Sequence, residues 1–280
     1  MVWGLRQKHK ITYLIQAAGI PRSTYYYYAK QAEKPDKYTD VKQEIIEIYE
    51  ENRRRVGYRR ITIELHNRGH CINHKTVQRL MRQLGLFCRV RMKRYNSYRG
   101  EVGKPAPNLL QRDFSADRPN QKWVTDVTEF NLFGQKLYLS PILDLFNSEI
   151  VSYSLSHHPN FAQTTDMLEQ AFRKIPSHTG LILHSDQGWQ YQMKPYQRML
   201  KTKGVQQSMS RKGNCLDNAV MENFFGILKT ELLYLQTFDS IEHFISELKA
   251  YLNYYNNRRI KLKLKGMSPV NFRVYALQSA

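Results

Sequence analysis

Cysteine is scarce in this chain of 280 residues, with Cys71, Cys88 and Cys215 the full complement. An odd number with no close pairing in sequence argues against a disulfide framework and fits a reducing compartment. Long apolar runs are also missing, and none approaches the length of a membrane span. Basic RQKHK at 6–10 followed by ITYLIQAAGI has the outline of a signal peptide, but Thr12, Tyr13 and Gln16 dilute the apolar part and PRSTYYYYAK follows. That stretch reads as helical core, so the expectation is a cytoplasmic protein with no membrane association. There is no sustained heptad run, internal repeat or low-complexity segment; YYYY at 25–28 is too short to count.

Acidic residues are in short supply. Lys+Arg number 43 against 24 Asp+Glu, for a net charge of +19. Residues 1–112 carry 24 basic and 9 acidic side chains, whereas 113–280 carry 19 and 15. The excess is therefore concentrated ahead of residue 113, as expected of a nucleic-acid-binding module joined to a more balanced domain. The expected division is a helical DNA-binding region over 1–88, a basic linker over 89–112, and a catalytic domain over 113–280 with a basic C-terminal tail.

Within the first region, residues 9–28 suggest two short helices broken at Gly19, with Pro21 at a helix-opening position. Val41, Ile45, Ile48 and Tyr49 fall on one face of a helix over 39–51. In RRITIELHNRGHCINHKTVQRLMRQLGL, a first helix ends at Gly69, and a second is capped by Asn73 and stopped by Gly85. Val77, Leu80, Met81 and Leu84 form the second helix's buried stripe, leaving Lys75, Arg79 and Arg82 outward. Two helices with a short connection, the second basic on its free face, read as a helix-turn-helix directed at double-stranded DNA.

From 122 the period changes. Strands are expected at 122–130, 136–144 and 149–155, with turns at Gly134 and at Asn147-Ser148. A helix over 161–174, a strand at 180–186, a helix over 193–203 and a strand at 205–209 follow. A polar loop at 210–217 then leads into helices over 218–233 and 239–256. This is an α/β arrangement with a mixed five-stranded sheet and flanking helices.

One strand poses a problem. In QKWVTDVTEF, alternation puts Val124, Asp126, Thr128 and Phe130 on one face and Trp123, Thr125 and Val127 on the other. A carboxylate thus sits in apparent core, where an unpaired charge costs several kcal/mol and demands a cation or a very good partner. Asp186 ends the apolar strand LILHSD, the position where ligands gather in α/β sheets. Glu222 lies on the helix NAVMENFFGILKTEL, with 35 residues between it and Asp186. Three carboxylates from two strands and a helix make an all-oxygen pocket suited to Mg²⁺ or Mn²⁺. Paired ions roughly 3.5–4 Å apart stabilise both oxygens of an in-line phosphodiester displacement.

The words WVTDVTEF, LHSDQGWQY, SMSRKGNCLDNAVMENFFGILKTEL and YYNNRRIKLKLKGMSPVNF resemble the OrfB-type transposases of the IS-three family of bacterial insertion sequences. The resemblance extends over nearly the whole chain. It implies a DDE recombinase with a ribonuclease H-like, retroviral-integrase-like core, and Asp126, Asp186 and Glu222 as catalytic, metal-binding residues. It also points to Lys229, two helical turns beyond Glu222, as a DNA contact. The chemistry implied is metal-assisted hydrolysis freeing a 3′-hydroxyl, followed by attack of that hydroxyl on another phosphodiester. The implied partners are insertion-sequence ends and target DNA, further copies of the chain, and an upstream OrfA supplied separately or fused.

Other readings remain open. A non-enzymatic helix-turn-helix regulator would keep the first region and leave the core inert, and a ribonuclease H-like nuclease would cut without joining. Asp144 reads as a turn-side carboxylate, Asp217 or Asn218 as a helix N-cap, and Glu129 as lying on the opposite face from Asp126. His66, His70 and His74 are spaced by four around Cys71, but Gly69 and Asn73 interrupt that helix and no CxxC accompanies it, so zinc is not expected. His184 suits either DNA contact or packing. Arg211 and Lys212, in the loop leading into the Glu222 helix, are candidate DNA contacts. The tail YLNYYNNRRIKLKLKG reads as either a stacking, phosphate-binding surface or a solvated basic face.

Overall fold

The computed structural model describes residues 2–5, 7–32, 36–89, 106–177, 179–211 and 215–279. Lys212 and most of the expected linker lie outside the described residues. The N-terminal part is helical throughout: α1 (Val2–Leu5), α2 (Ile11–Ala17), α3 (Arg22–Ala32), α4 (Thr39–Glu51), α5 (Tyr58–Asn67) and α6 (His74–Gln83). Asn73 caps α6 by accepting the Lys75 N–H at 2.8 Å. Ile45, Ile48 and Tyr49 of α4 close over Ile61 and Leu65 of α5 and Val77, Leu80 and Met81 of α6. Each such side chain contributes about 1.5–3 kcal/mol when fully buried. Lys75, Arg79 and Arg82 remain exposed on the far side of α6.

The second part begins with β1 (Lys122–Thr125), β2 (Thr128–Leu132), β3 (Gln135–Asp144) and β4 (Ile150–Ser156). Phe133 and Gly134, both at positive φ, make the two-residue turn between β2 and β3. Then come α7 (Phe161–Phe172), β5 (Ile182–Ser185), α8 (Lys194–Lys203), β6 (Gln206–Met209) and α9 (Ala219–Leu228). A π-helical turn over Lys229–Leu233 continues α9, and α10 (Ile241–Asn257) and α11 (Pro269–Gln278) complete the chain.

β3 is flanked by β4 on one side and by β1 and β2, end to end, on the other; β1 then pairs in parallel with β5, and β5 with β6. The expected strand at 122–130 is thus two strands. The register nevertheless runs through the gap, with Thr125 opposite Ile142 and Thr128 opposite Leu139. The cause lies across the ladder: the register sets Pro141 opposite Asp126, and proline has no N–H to donate to the Asp126 carbonyl. Asp126 Oδ1 accepts the adjacent Val127 N–H at 2.7 Å. In lateral order the sheet still has five positions.

Both faces of the sheet are covered. Val124, Phe130, Leu137 and Leu139 pack against α9 and α10 through Phe224, Leu228, Phe244 and Leu248. Trp123, Ile142 and Leu183 pack on the other side against Met167 and Leu168 of α7 and Leu200 of α8. No helix of the described residues is long and apolar enough to cross a membrane.

The expected basic tail is divided: Arg258, Lys263 and Lys265 are exposed, whereas Arg259 and Lys261 are drawn inward. Arg259 is buried and donates to both oxygens of Glu231, at 2.7 and 2.8 Å. Lys261 donates to the Tyr255 hydroxyl at 2.6 Å, and Lys265 lies over the Tyr275 ring of α11. The aromatic side chains interleaved with these cations give them somewhere to pack.

The helical region also meets the core directly. Arg60 of α5 reaches Glu231 at 3.3 Å, Arg53 pairs with Glu247 of α10, and Asn52 accepts the Tyr254 hydroxyl at 2.9 Å. Buried Arg55 lies over the rings of Tyr251 and Tyr254. Gly266, at φ +77°, brings its backbone against Ile63 so closely that a side chain there would collide with it.

Candidate active site

Parallel pairing of β1 with β5 sets Lys122 opposite Ile182 and Val124 opposite His184. The same register, carried two residues further, sets Asp126 beside Asp186, each just past the carboxyl end of its strand. Neighbouring strands are about 4.8 Å apart, so the two carboxylates emerge side by side on one face. That face is the one covered by α9, whose first turn carries Glu222.

The electrostatics follow from this placement. Burial, and after it the neighbouring charge of Asp186, pushes the Asp126 carboxyl well above the usual range. The Val127 N–H opposes that shift, Glu222 adds to it, and Lys229 opposes it. Burial raises Asp186 against a 2.9 Å hydrogen bond from the Gly188 N–H, and it also raises Glu222. Lys229, over the Phe130 ring, is lowered by burial and raised by Glu129 and Asp126.

A cluster of like charges held together against this repulsion calls for a cation, and its donors are all hard oxygens. Among the described residues, however, no three His, Cys, Asp or Glu side chains are gathered tightly enough to hold an ion. Asp126 and Asp186 form the floor of the site, and Glu222, in the first turn of α9, adds its charge to that of Asp126. The histidines considered for zinc are engaged elsewhere: His66 with the Ile72 carbonyl, His70 with Glu44, and His74 against the Tyr58 ring.

Asn218, immediately ahead of α9, donates from Nδ2 to Asp126 Oδ2 at 3.0 Å. Its Oδ1 is buried without a donor among the described residues, and its side chain makes no cap bond to α9. Asp217 does not cap the helix either. Its buried carboxylate accepts from the Arg211 backbone and guanidinium, from Arg112 Nε and from Asn108 Nδ2, at 3.0–3.1 Å. Those cations hold it well below the usual carboxylate range. Arg211 therefore braces its own loop, with its side chain still 58% exposed. His184 is packed: it is fully buried between the Ser208 hydroxyl at 2.8 Å and the Asp217 carbonyl at 3.0 Å. Asp144 accepts the Asn120 and Phe146 N–H groups at the end of β3, as a turn-side carboxylate.

Two of these roles had no local signal in the sequence. Glu231 resembles any acidic residue of an amphipathic helix until Arg259 and Arg60 are seen around it. Asn218 carries a strong cap signature, and only the position of Asp126, distant in sequence, redirects it.

Comparison with known proteins places this architecture. Integrase core domain models match residues 116–215 and 222–277, and an HTH-like domain model matches 36–94. The putative transposase InsK of insertion sequence element IS150 from Escherichia coli (strain K12) is 59% identical over 269 residues, 96% of this chain and 95% of that protein. Transposase InsF of insertion sequence IS3A from the same organism is 34% identical over 230 residues, 81% of this chain and 80% of its own length. Among solved structures, the HTLV-2 integrase catalytic core domain in complex with magnesium (trimeric form) is 18% identical, with a TM-score of 0.46, covering 57% of this chain and 99% of that one. The chain belongs to the IS3 family of insertion-sequence transposases, with an HTH-like domain ahead of an integrase core of ribonuclease H-like fold.

Proposed function

We propose that Asp126, Asp186 and Glu222 are the catalytic carboxylates of this transposase and that they hold Mg²⁺ or Mn²⁺, as a pair of ions. Bound there, such ions polarise a phosphodiester and activate the attacking hydroxyl. Water breaks the bond at an insertion-sequence end and frees a 3′-hydroxyl; that hydroxyl then attacks a target phosphodiester, one bond forming as another breaks. The nucleophiles come from water and DNA, so the protein's part is to hold and orient. Lys229, on the Glu222 face of α9, contacts a backbone phosphate near the reacting end. Lys75, Arg79 and Arg82 of α6 face double-stranded DNA, and Arg211 and Lys212, the latter outside the described residues, are further DNA contacts. The active form is a homo-oligomer on DNA in the cytoplasm, with OrfA as a further partner.

The observation that supports this reading most is the juxtaposition of Asp126 and Asp186 under the first turn of α9, a like-charge cluster that folding alone does not reward. The test is Asp126→Asn in the full chain, assayed on DNA bearing an element end. Loss of the cation's several kcal/mol of transition-state stabilisation is expected to slow cleavage and joining on the order of a thousandfold, with end binding retained. Undiminished cleavage would remove Asp126 from the site. Products cut but never joined would favour a nuclease.

A further inference from the structure

Asn218 is placed against its own local interest. An asparagine at the residue before a helix ordinarily turns its side-chain oxygen onto the first-turn amides, as Asn73 does for α6. Asn218 instead leaves Oδ1 buried without a donor among the described residues, and directs Nδ2 to Asp126 Oδ2 at 3.0 Å. The other oxygen of Asp126 takes the Val127 N–H at 2.7 Å. Between them the two donors fix the carboxylate plane and leave one lone pair free on each oxygen.

We propose that Asn218 is a positioning residue of the active site, whose side-chain amide sets the Asp126 carboxylate in the orientation a divalent cation requires. The proposal rests on the reading of Asp126 as a metal-holding carboxylate. Ligating carboxylates are themselves oriented by hydrogen-bond partners, and removing such a partner typically weakens metal affinity or activity roughly 10–100-fold. Asn218 also joins two parts of the site, because it stands at the N-cap position of α9, four residues ahead of Glu222. It thereby ties the β1 carboxylate to the start of α9.

The experiment compares the full-length wild type with Asn218→Ala, Asn218→Ser and Asp126→Asn. Mn²⁺ affinity is measured by the electron paramagnetic resonance signal of free Mn²⁺, and melting is followed without metal. Both Asn218 variants are expected to bind Mn²⁺ roughly 10–100-fold more weakly. Their metal-free melting temperatures should match the wild type, because no cap bond is lost and an unpaired buried oxygen is removed. Wild-type Mn²⁺ affinity in either folded Asn218 variant, with Asp126→Asn impaired, overturns the proposal and leaves the carboxylate assignment standing. Metal-free unfolding of both variants also overturns it, since Asn218 would then be structural. Wild-type affinity in Asp126→Asn refutes the underlying assignment, and the proposal with it.

Discussion

At Asp126 a carboxylate is taken into the protein beside that of Asp186, with the Val127 N–H and the Asn218 amide as its hydrogen-bond donors. A second side chain, Asn218, leaves an acceptor unpaired beside it, at a cost of about 1–3 kcal/mol. A buried carboxylate with an unpaired amide oxygen beside it calls for an explanation beyond folding. The opposite economy governs Lys261, a cation of the basic tail taken into the molecule without chemistry to perform. Burial lowers its pKa to about 7, Arg259 adding to the effect. Between that value and the ordinary lysine range, the unfolded chain binds a proton that the folded chain does not. Stability is therefore expected to rise with pH from about 7 towards 10. Denaturant titrations across that range should show the rise in the wild type and its flattening in Lys261→Met. An unchanged slope in the variant would show that Lys261 titrates in solvent.

The continuous element from α9 into the π-turn carries two carboxylates with opposite fates. Glu222 stands in the first turn, over the Asp126–Asp186 pair, and Glu231 lies in the π-turn, buried among Arg259, Arg60 and the Tyr251 hydroxyl. Those partners hold Glu231 below the usual carboxylate range despite its burial. Removing one member of such a network leaves the others charged and unpaired, so Glu231→Ala is expected to cost about 3–5 kcal/mol in chemical denaturation. A loss under 1 kcal/mol would mean that water replaces the carboxylate freely. At this scale much was legible in the sequence. α4 falls on the expected 39–51, Gly134 turns the hairpin, and the stripe of Val77, Leu80 and Met81 is buried as its period requires. Repeating patterns announce themselves over several residues. The break after Thr125 does not, because it depends on Pro141 of another strand coming to stand opposite Asp126; the π-turn carries no such pattern either, and α11 went unread beside the tail's conspicuous charge. For the site, Asp126 drew attention as a charge in an apolar strand, whereas its support by Asn218 depended on a contact across 92 residues.

For the molecule as a whole, the basic side chains described ahead of residue 113 include two populations with different fates, besides those paired within the helical region itself. One is outward: Lys75, Arg79 and Arg82 on the exposed face of α6. The other is turned onto the core: Arg53 to Glu247, Arg55 over Tyr251 and Tyr254, and Arg60 to Glu231. Composition sums these populations and so overstates the charge offered to DNA, which is why the asymmetry pointed to the right partner while concealing the clasp between domain and core. Salt dependence separates them. Each phosphate neutralised steepens the dependence of log affinity on log salt by about 0.9, so Lys75→Ala, Arg79→Ala and Arg82→Ala are each expected to reduce that slope by about 1. Arg53→Ala and Arg60→Ala should leave the slope as it is, because those guanidiniums already face carboxylates. Their effect belongs in the docking of the helical region, read as faster proteolysis between it and the core, with at most about 1 kcal/mol for the partly exposed Arg53–Glu247 pair. If Arg53→Ala or Arg60→Ala flattened the salt slope as the α6 variants do, the clasp would have to open on DNA and release its arginines to the phosphates.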